Sequence, residues 1–320
     1  MKLASLNDGS RYGRLVVVSQ DLRRAKFVGI LAPNLPAAMD DWDTVAPLLH
    51  MIYHELNQGP ISGSFELMLS QCIAPLTQPF EHFHAFNYRP YLQLLNQFSA
   101  TALQDQLPII SMPSQILAGA HEDVQVAATD ALDFSAQIGV ITGPIATGES
   151  ADDCLDLVRL ISLQNQYYSP ELLKKELQLG WGIRQSMRKM VSAPILVTPD
   201  ELGEYWHQGL MSLPIITKLN GKPFAALNPK QDAICPFGEL LAKVVEFSPL
   251  SAGAMISVGP VMNQSQLTGP ANLWSRAMAG KASDPATAYL KGDDKIEMYV
   301  QDSAGRNLFG GIKQYIRFSE

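Results

Sequence analysis

The chain has 320 residues, 47% hydrophobic and 17% charged, and a formal net charge of −7. That is a globular composition with enough apolar material for one large domain or two smaller ones. The acidic balance excludes a general nucleic-acid-binding surface, and no run of about 18 apolar residues is present to span a membrane.

Polar residues follow too soon after Met1 for a secretory signal, so the expected location is cytoplasmic. Cys72, Cys154 and Cys235 are odd in number and far apart, as expected of reduced thiols rather than a disulfide frame or zinc site. Asn7-Asp8-Gly9-Ser10 reads as a turn, Leu15-Val16-Val17-Val18 as a short buried strand, and residues 26–31 as a second. Pro36 opens a helix whose Met39, Trp42, Val45, Leu49, Ile52 and Leu56 form one stripe, stopped by Gly59-Pro60. This unit ends near Ser64, and Cys72-Ile73-Ala74-Pro75 begins the main part, which gives domains at 1–72 and 73–320.

Residues 90–98 read as a short helix with Leu92 and Leu95 inward, and 106–116 as strand and loop. The segment 132–142, Leu-Asp-Phe-Ser-Ala-Gln-Ile-Gly-Val-Ile-Thr, alternates and then runs apolar, as a strand entering a core does; Ser135 and Gln137 then share one face. Ser150 caps a helix with Leu155, Val158, Leu160 and Ile161 as its stripe. Residues 213–219, the turn Asn220-Gly221 and the segment from Phe224 form a hairpin. Pro236 starts a helix carrying Phe237, Leu240, Leu241, Val244 and Val245. Residues 254–259 are a strand, and 295–301 with 307–318 a terminal hairpin. Strands outnumber helices and do not alternate with them, which points to an α+β fold with packed sheets.

Several segments, in order, resemble bacterial proteins of the fumarylacetoacetate hydrolase family. They are Leu6-Asn7-Asp8-Gly9-Ser10 with Gly13-Arg14-Leu15-Val16-Val17-Val18, Thr198-Pro199-Asp200-Glu201-Leu202-Gly203, Pro249-Leu250-Ser251-Ala252-Gly253, and Gly305-Arg306-Asn307-Leu308-Phe309-Gly310. The resemblance implies a small N-terminal α+β domain followed by a mixed β-sandwich roll, assembled as a homodimer. It also implies cleavage of carbon–carbon bonds in acylpyruvate-type diketo acids, or decarboxylation or hydration of related oxo acids, with Mg²⁺ or Ca²⁺.

The family's site positions are changed here. Where the resemblance implies Asp-Phe-Glu-Ala-Glu, the chain has Asp133-Phe134-Ser135-Ala136-Gln137; where it implies Asn-Asp, it has Asn165-Gln166. The lysine of Gln-Ser-Lys-Pro is replaced by Met187, and the threonine of a substrate-contacting Gly-Thr by Pro260, which also lacks a backbone donor. The segment implied to supply an aspartate and a catalytic histidine falls near Ala85 and Leu92. Hard cations need anionic oxygens, so Ser135, Gln137 and Gln166 are former ligand positions and no metal cofactor is expected. Arg184, Arg188 and Lys189 crowd the lost lysine and are the candidates for binding a small organic acid.

Other motifs take plain readings. His50 and His54 share a helix face without a third ligand, and His82-Phe83-His84 puts two imidazoles on one side of a strand without further ligands. His121-Glu122-Asp123 reads as a solvated acidic loop, and Trp181 and Trp274 as core. Three functions compete: a non-catalytic family protein binding a small acid or a protein partner; a hydrolase, decarboxylase or hydratase with displaced groups; and a structural subunit paired with an active relative.

Overall fold

The computed structural model describes residues 1–99, 107–113, 117–127, 131–180, 182–280 and 289–319. The chain starts with β1 (Lys2–Leu6), β2 (Arg14–Val18) and β3 (Arg24–Phe27), then α1 (Leu35–Asp40) and α2 (Trp42–Gln58). The second expected strand therefore ends at Phe27, and the single expected helix is two, broken at Asp41. Asn34 caps α1, its side chain accepting from the Ala37 N–H. Next come β4 (Ser64–Glu66), β5 (Cys72–Ile73), β6 (His82–Ala85), α3 (Arg89–Leu95), β7 (Ile109–Ser111), β8 (Val124–Ala127) and β9 (Ala136–Thr142).

Ser150 does cap α4 (Ala151–Asp156), but that helix stops after six residues. Val158, Leu160 and Ile161 belong instead to the long strand β10 (Val158–Tyr168), followed by α5 (Pro170–Leu179), β11 (Met187–Ser192), β12 (Leu196–Val197) and α6 (Pro199–Leu202). β10 is buried on both faces and so loses the alternation that marks a strand in sequence.

After the short pair β13 (Trp206–His207) and β14 (Leu210–Met211) comes the hairpin β15 (Ile215–Leu219) and β16 (Lys222–Leu227). Its turn has Asn220 at φ 54° and Gly221 at φ 75°, the left-handed geometry that Asn-Gly supplies. The chain closes with α7 (Phe237–Val244), β17 (Met255–Val258), α8 (Leu273–Met278), β18 (Lys295–Val300) and β19 (Ile312–Ser319).

One sheet of 12 strands runs β4-β3-β2-β1-β12-β10-β9-β17-β6-β7, with β5 and β11 pairing to β1 and β10; a second of 5 runs β16-β15-β18-β19-β8. Only β17–β6 and β19–β8 are parallel among the named pairs, so the sheets are mixed. β1 pairs with both β2 and β12, which makes the N-terminal strands continuous with the main sheet.

Residues of period two divide between the two faces. Val16, Val18, Ile138, Val140, Ile256 and Val258 join Ile215, Leu227, Met298 and Ile312 of the second sheet in one core. Leu15, Val17, Ile141 and Met255 pack on the other face with Leu35, Met39, Val45 and Leu49 of α1 and α2. Burying each such side chain is worth about 1.5–3 kcal/mol. Further along that second face the sheet turns polar: His82, His84, Gln137, Gln164 and Ser257 are all buried there, and the site lies at its end.

Candidate functional site

Register brings the polar side chains together. On β6, His82 and His84 point one way; β17 sets Ser257 opposite His84; β9 sets Gly139 opposite Ser257; and β10 sets Gln164 opposite Gln137. Gly139 and Gly259 are what allow this packing. A Cβ on Gly139 would lie 2.4 Å from Gln164 Nε2, and one on Gly259 would lie 2.5 Å from Gln137 Cγ.

At the end of this row is a small cavity of about 10 Å³, room for about one water. His84, Ser135, Gln137 and Gln166 form its polar side; Met187, Pro260, Phe86, Tyr91, Tyr168 and Leu173 form the rest. Thus five sequence candidates, Ser135, Gln137, Gln166, Met187 and Pro260, surround one space. Arg184, Arg188, Lys189 and Leu92 do not line it. Arg188 and Lys189 follow Met187 on β11, where Met187 is buried and they are half-buried; Arg184 is exposed, its N–H donating to Glu176 at 2.7 Å. Leu92 is buried in the sandwich core, and its neighbour Tyr91 reaches the cavity instead.

Hydrogen bonds fix part of the polar side. Gln166 Nε2 donates to the carbonyls of Tyr167 at 2.7 Å and Lys189 at 3.1 Å, which orients the amide and leaves Oε1 without a partner. Gln137 Nε2 donates to Ser135 Oγ at 3.2 Å, while Gln137 Oε1 and His84 Nε2 make no hydrogen bond. Burial pushes the His84 imidazole down to about 4, partly offset by the Gly259 backbone and the Gln137 side chain, so it is neutral at physiological pH. Burial, helped by His84, pushes His82 to about 3, and its Nε2 lies 2.9 Å from Ser257 Oγ.

The retained Asp133 is engaged elsewhere. It accepts N–H bonds from Phe134 at 2.8 Å, Leu273 at 3.1 Å and Trp274 at 2.7 Å, anchoring the start of α8. Burial raises its carboxyl to about 7 against those donors. Beside it Asn272 donates to Tyr168 OH at 2.8 Å, and Tyr91 OH lies 3.4 Å from Tyr168 OH.

The side-chain oxygens that the described lining residues offer are therefore all neutral, from Ser135, Gln137, Gln166 and the hydroxyls of Tyr91 and Tyr168, beside one imidazole, with no carboxylate among them. That set does not fit a hard divalent cation, which takes several anionic oxygens. Among the described residues no group of three or more His, Cys, Asp and Glu side chains is placed to hold a metal ion.

The remaining sequence candidates lie apart. His54 Nε2 contacts Gln58 Nε2 at 2.8 Å on the exposed flank of α2. Glu122 binds the Gly119 N–H at 2.8 Å and Asp123 pairs with Arg317 at 3.0 Å, away from the cavity. Trp274 is buried core, whereas Trp181 lies outside the described residues. The three cysteines are buried and unpaired, and burial raises each thiol. Sequence reasoning passed over His84, Tyr91 and Tyr168 as site residues; the signal for His84 was its place beside Ala85 in an alternating strand.

Residues 1–78 match the profile of fumarylacetoacetase N-terminal domain 2, and residues 84–313 that of the fumarylacetoacetate hydrolase C-terminal domain. The chain belongs to the fumarylacetoacetate hydrolase family. Among solved structures it resembles a fumarylacetoacetate hydrolase from Exiguobacterium antarcticum, at 15% identity and TM-score 0.68 over 100% of both chains. It also resembles a maleylpyruvate hydrolase from Sphingobium sp. SYK-6 in complex with manganese(II) and pyruvate, at 14% identity and TM-score 0.67 over 100% of both chains. A 2-hydroxyhepta-2,4-diene-1,7-dioate isomerase from Mycobacterium marinum aligns at 12% identity and TM-score 0.61, over 100% of this chain and 99% of that one. No curated protein sequence matches the chain. These identities establish the family's hydrolase- and isomerase-bearing fold, α+β with its N-terminal domain; no helix among the described residues is long and apolar enough to cross a membrane.

Proposed function

We propose that this family member has lost divalent-metal-dependent carbon–carbon bond hydrolysis of diketo acids and retains the cavity as a binding site for a small acid, or the scaffold as a binder of a protein partner. The observation that carries this reading is the convergence of Ser135, Gln137, Gln166, Met187 and Pro260 on one space with no carboxylate or lysine among the described residues lining it. These are the positions at which the family resemblance implies ligands, an enolate-stabilising cation and a substrate contact. The manganese and pyruvate in the maleylpyruvate hydrolase neighbour support the idea that the ancestral fold took a metal and an oxo acid. Neutral oxygens cannot supply the charge of such a set.

The test restores the charge. Ser135→Glu, Gln137→Glu and Gln166→Asp together should create affinity for Mg²⁺, Mn²⁺ or Ca²⁺, and each change alone should do little. Without metal the triple variant should melt lower, because three close carboxylates repel and their pKa values rise; metal should restore the melting temperature by binding only the folded state. A wild-type protein strongly stabilised by these ions would refute the reading, as would a folded triple variant that never responds.

A second reading, an active hydrolase, decarboxylase or hydratase with displaced groups, has one observation in its favour. His84 is an imidazole lining the cavity with its Nε2 free of any hydrogen bond, placed to meet a water, although burial holding it near 4 makes it a weak base.

A further inference from the structure

The cavity walls are nearly sealed: His84, Gln137, Gln166 and Tyr168 are each at most 2% exposed. Something must move before any molecule enters. Among the described walls, the excursion that carries α5 between β10 and β11 is held largely by polar contacts. Its feet, Tyr168 and Met187, are register partners across a bulge, and both line the cavity. Above them the Ser169 N–H donates to the Ser186 carbonyl at 2.9 Å and closes the base. α5 fills the first half of the excursion and sets Leu173 on the cavity.

Only Pro170 and Leu173 of the 10 residues in α5 are buried. By contrast α3, on another wall, buries Tyr91, Leu92, Leu94 and Leu95 out of 7. Beyond Pro170, Leu173 and the half-buried Leu177, which packs against the core, polar contacts hold α5. The Glu176 carboxylate accepts the N–H of Arg184 at 2.7 Å, of Gln185, and of Ser186 at 3.1 Å, and so ties the helix to the returning chain. Toward the other end Glu171 accepts from Tyr289 OH at 2.5 Å and pairs with Lys174 at 2.8 Å. The Lys174 ammonium lies 5.1 Å from the Phe98 ring and 5.5 Å from the Trp274 ring. Solvent replaces such exposed polar contacts at small net cost, whereas lifting an apolar helix does not come so cheaply. Elements with few buried apolar contacts open at low free energy.

We propose that α5 is a lid over the cavity, latched by Glu176, and that its release is the route by which a small molecule reaches the site. The functional role of that route rests on the reading of the cavity as the ligand site; the opening itself does not. In the closed state Leu173 covers the cavity, and the Glu176 carboxylate bridges the end of the lid to residues 184–186. Loss of the latch frees the lid while β10 and β11 remain paired.

The experiment places a thiol in the cavity with Ser135→Cys and follows its reaction with a small methanethiosulfonate by mass spectrometry. The Ser135→Cys protein should react slowly, and Ser135→Cys/Glu176→Ala at least tenfold faster, with Cys72, Cys154 and Cys235 unchanged. Equal rates at position 135, or equal acceleration at the native cysteines, would overturn the lid. Hydrogen exchange of the wild-type chain gives a readout that needs no variant. The amides of Leu173, Gly180 and residues 184–186 should exchange together and faster than those of β10; exchange in step with β10 would overturn it too. Labelling reads access and the charge-restoring variant reads the donor set, so either proposal can fail without the other.

Discussion

Acid should destabilise this protein through its buried histidines, and the share of three named groups can be separated by substitution. His84 and His82 have imidazoles held near 4 and near 3, mainly by burial, while an unfolded histidine titrates near 6.5. Below pH 6.5 the unfolded chain takes up two protons that the folded chain refuses, so these two groups make stability fall as pH falls. Asp133 acts in the opposite sense. Its folded carboxyl is raised to about 7 from its ordinary 3.8, so between those values the folded chain holds a proton that the unfolded chain lacks, and stability rises as pH falls.

Between pH 6 and pH 5 these three groups balance to one net proton, or a loss of about 1.4 kcal/mol per pH unit; His50 and His121, whose imidazoles burial also lowers, add to the loss in the same sense. Asp133→Asn removes the opposing proton and should steepen the slope by about 1.4 kcal/mol per pH unit. His84→Gln removes one histidine proton and should flatten the slope by a similar amount. Urea unfolding at pH 5, 5.5, 6 and 7 reads each slope, and contributions from surface carboxylates are common to all three proteins. Three parallel curves, or wild-type stability that rises on acidification through this range, would refute the assignment of these groups as the pH-sensitive core.

Three further outcomes are expected. Gly238→Ala should lose about 1–3 kcal/mol in chemical unfolding, since its Cβ would sit 2.4 Å from the Ala151 carbonyl oxygen and backbone cannot swing aside; Gly221→Ala, strained only by φ 75° in open space, should lose about 1 kcal/mol. Light scattering on a size-exclusion column should give twice 35.1 kDa, the homodimer proposed from the family and the commonest symmetric assembly, whereas a monomer at all concentrations would contradict it. With Mg²⁺ and an acylpyruvate, turnover should stay far below the enzyme-typical rate of about 1 s⁻¹; reaching that rate would favour the second reading built on His84.

Local chemistry legible in the sequence placed several elements well. Asn220-Gly221 fixes the β15–β16 turn because both residues adopt left-handed backbone. The stripe of Trp42, Val45, Leu49 and Leu56 gives α2 its buried face, and Ser150 gives α4 its start. The ordered family segments were sufficient for the fold, and they selected five positions that do surround one cavity.

Other features required long-range pairing. β1 is an unremarkable Lys-Leu-Ala-Ser-Leu until β2 and β12 flank it; its Lys2 is then buried, donating to the carbonyls of Gln20 at 2.9 Å and Asn307 at 3.4 Å. β10 carries apolar residues on both faces because sheet neighbours and two cores enclose it, so its first turns imitate a helix stripe in sequence. His84 becomes a site residue only through the parallel pairing of β6 with β17, strands separated by about 170 positions, a number set by the register Ser257 to His84. Sequence by itself determined which residues could turn, cap or pack against near neighbours. The tertiary structure decided which distant side chains share a cavity, because strand register, unlike helix periodicity, is set by partners far away in the chain.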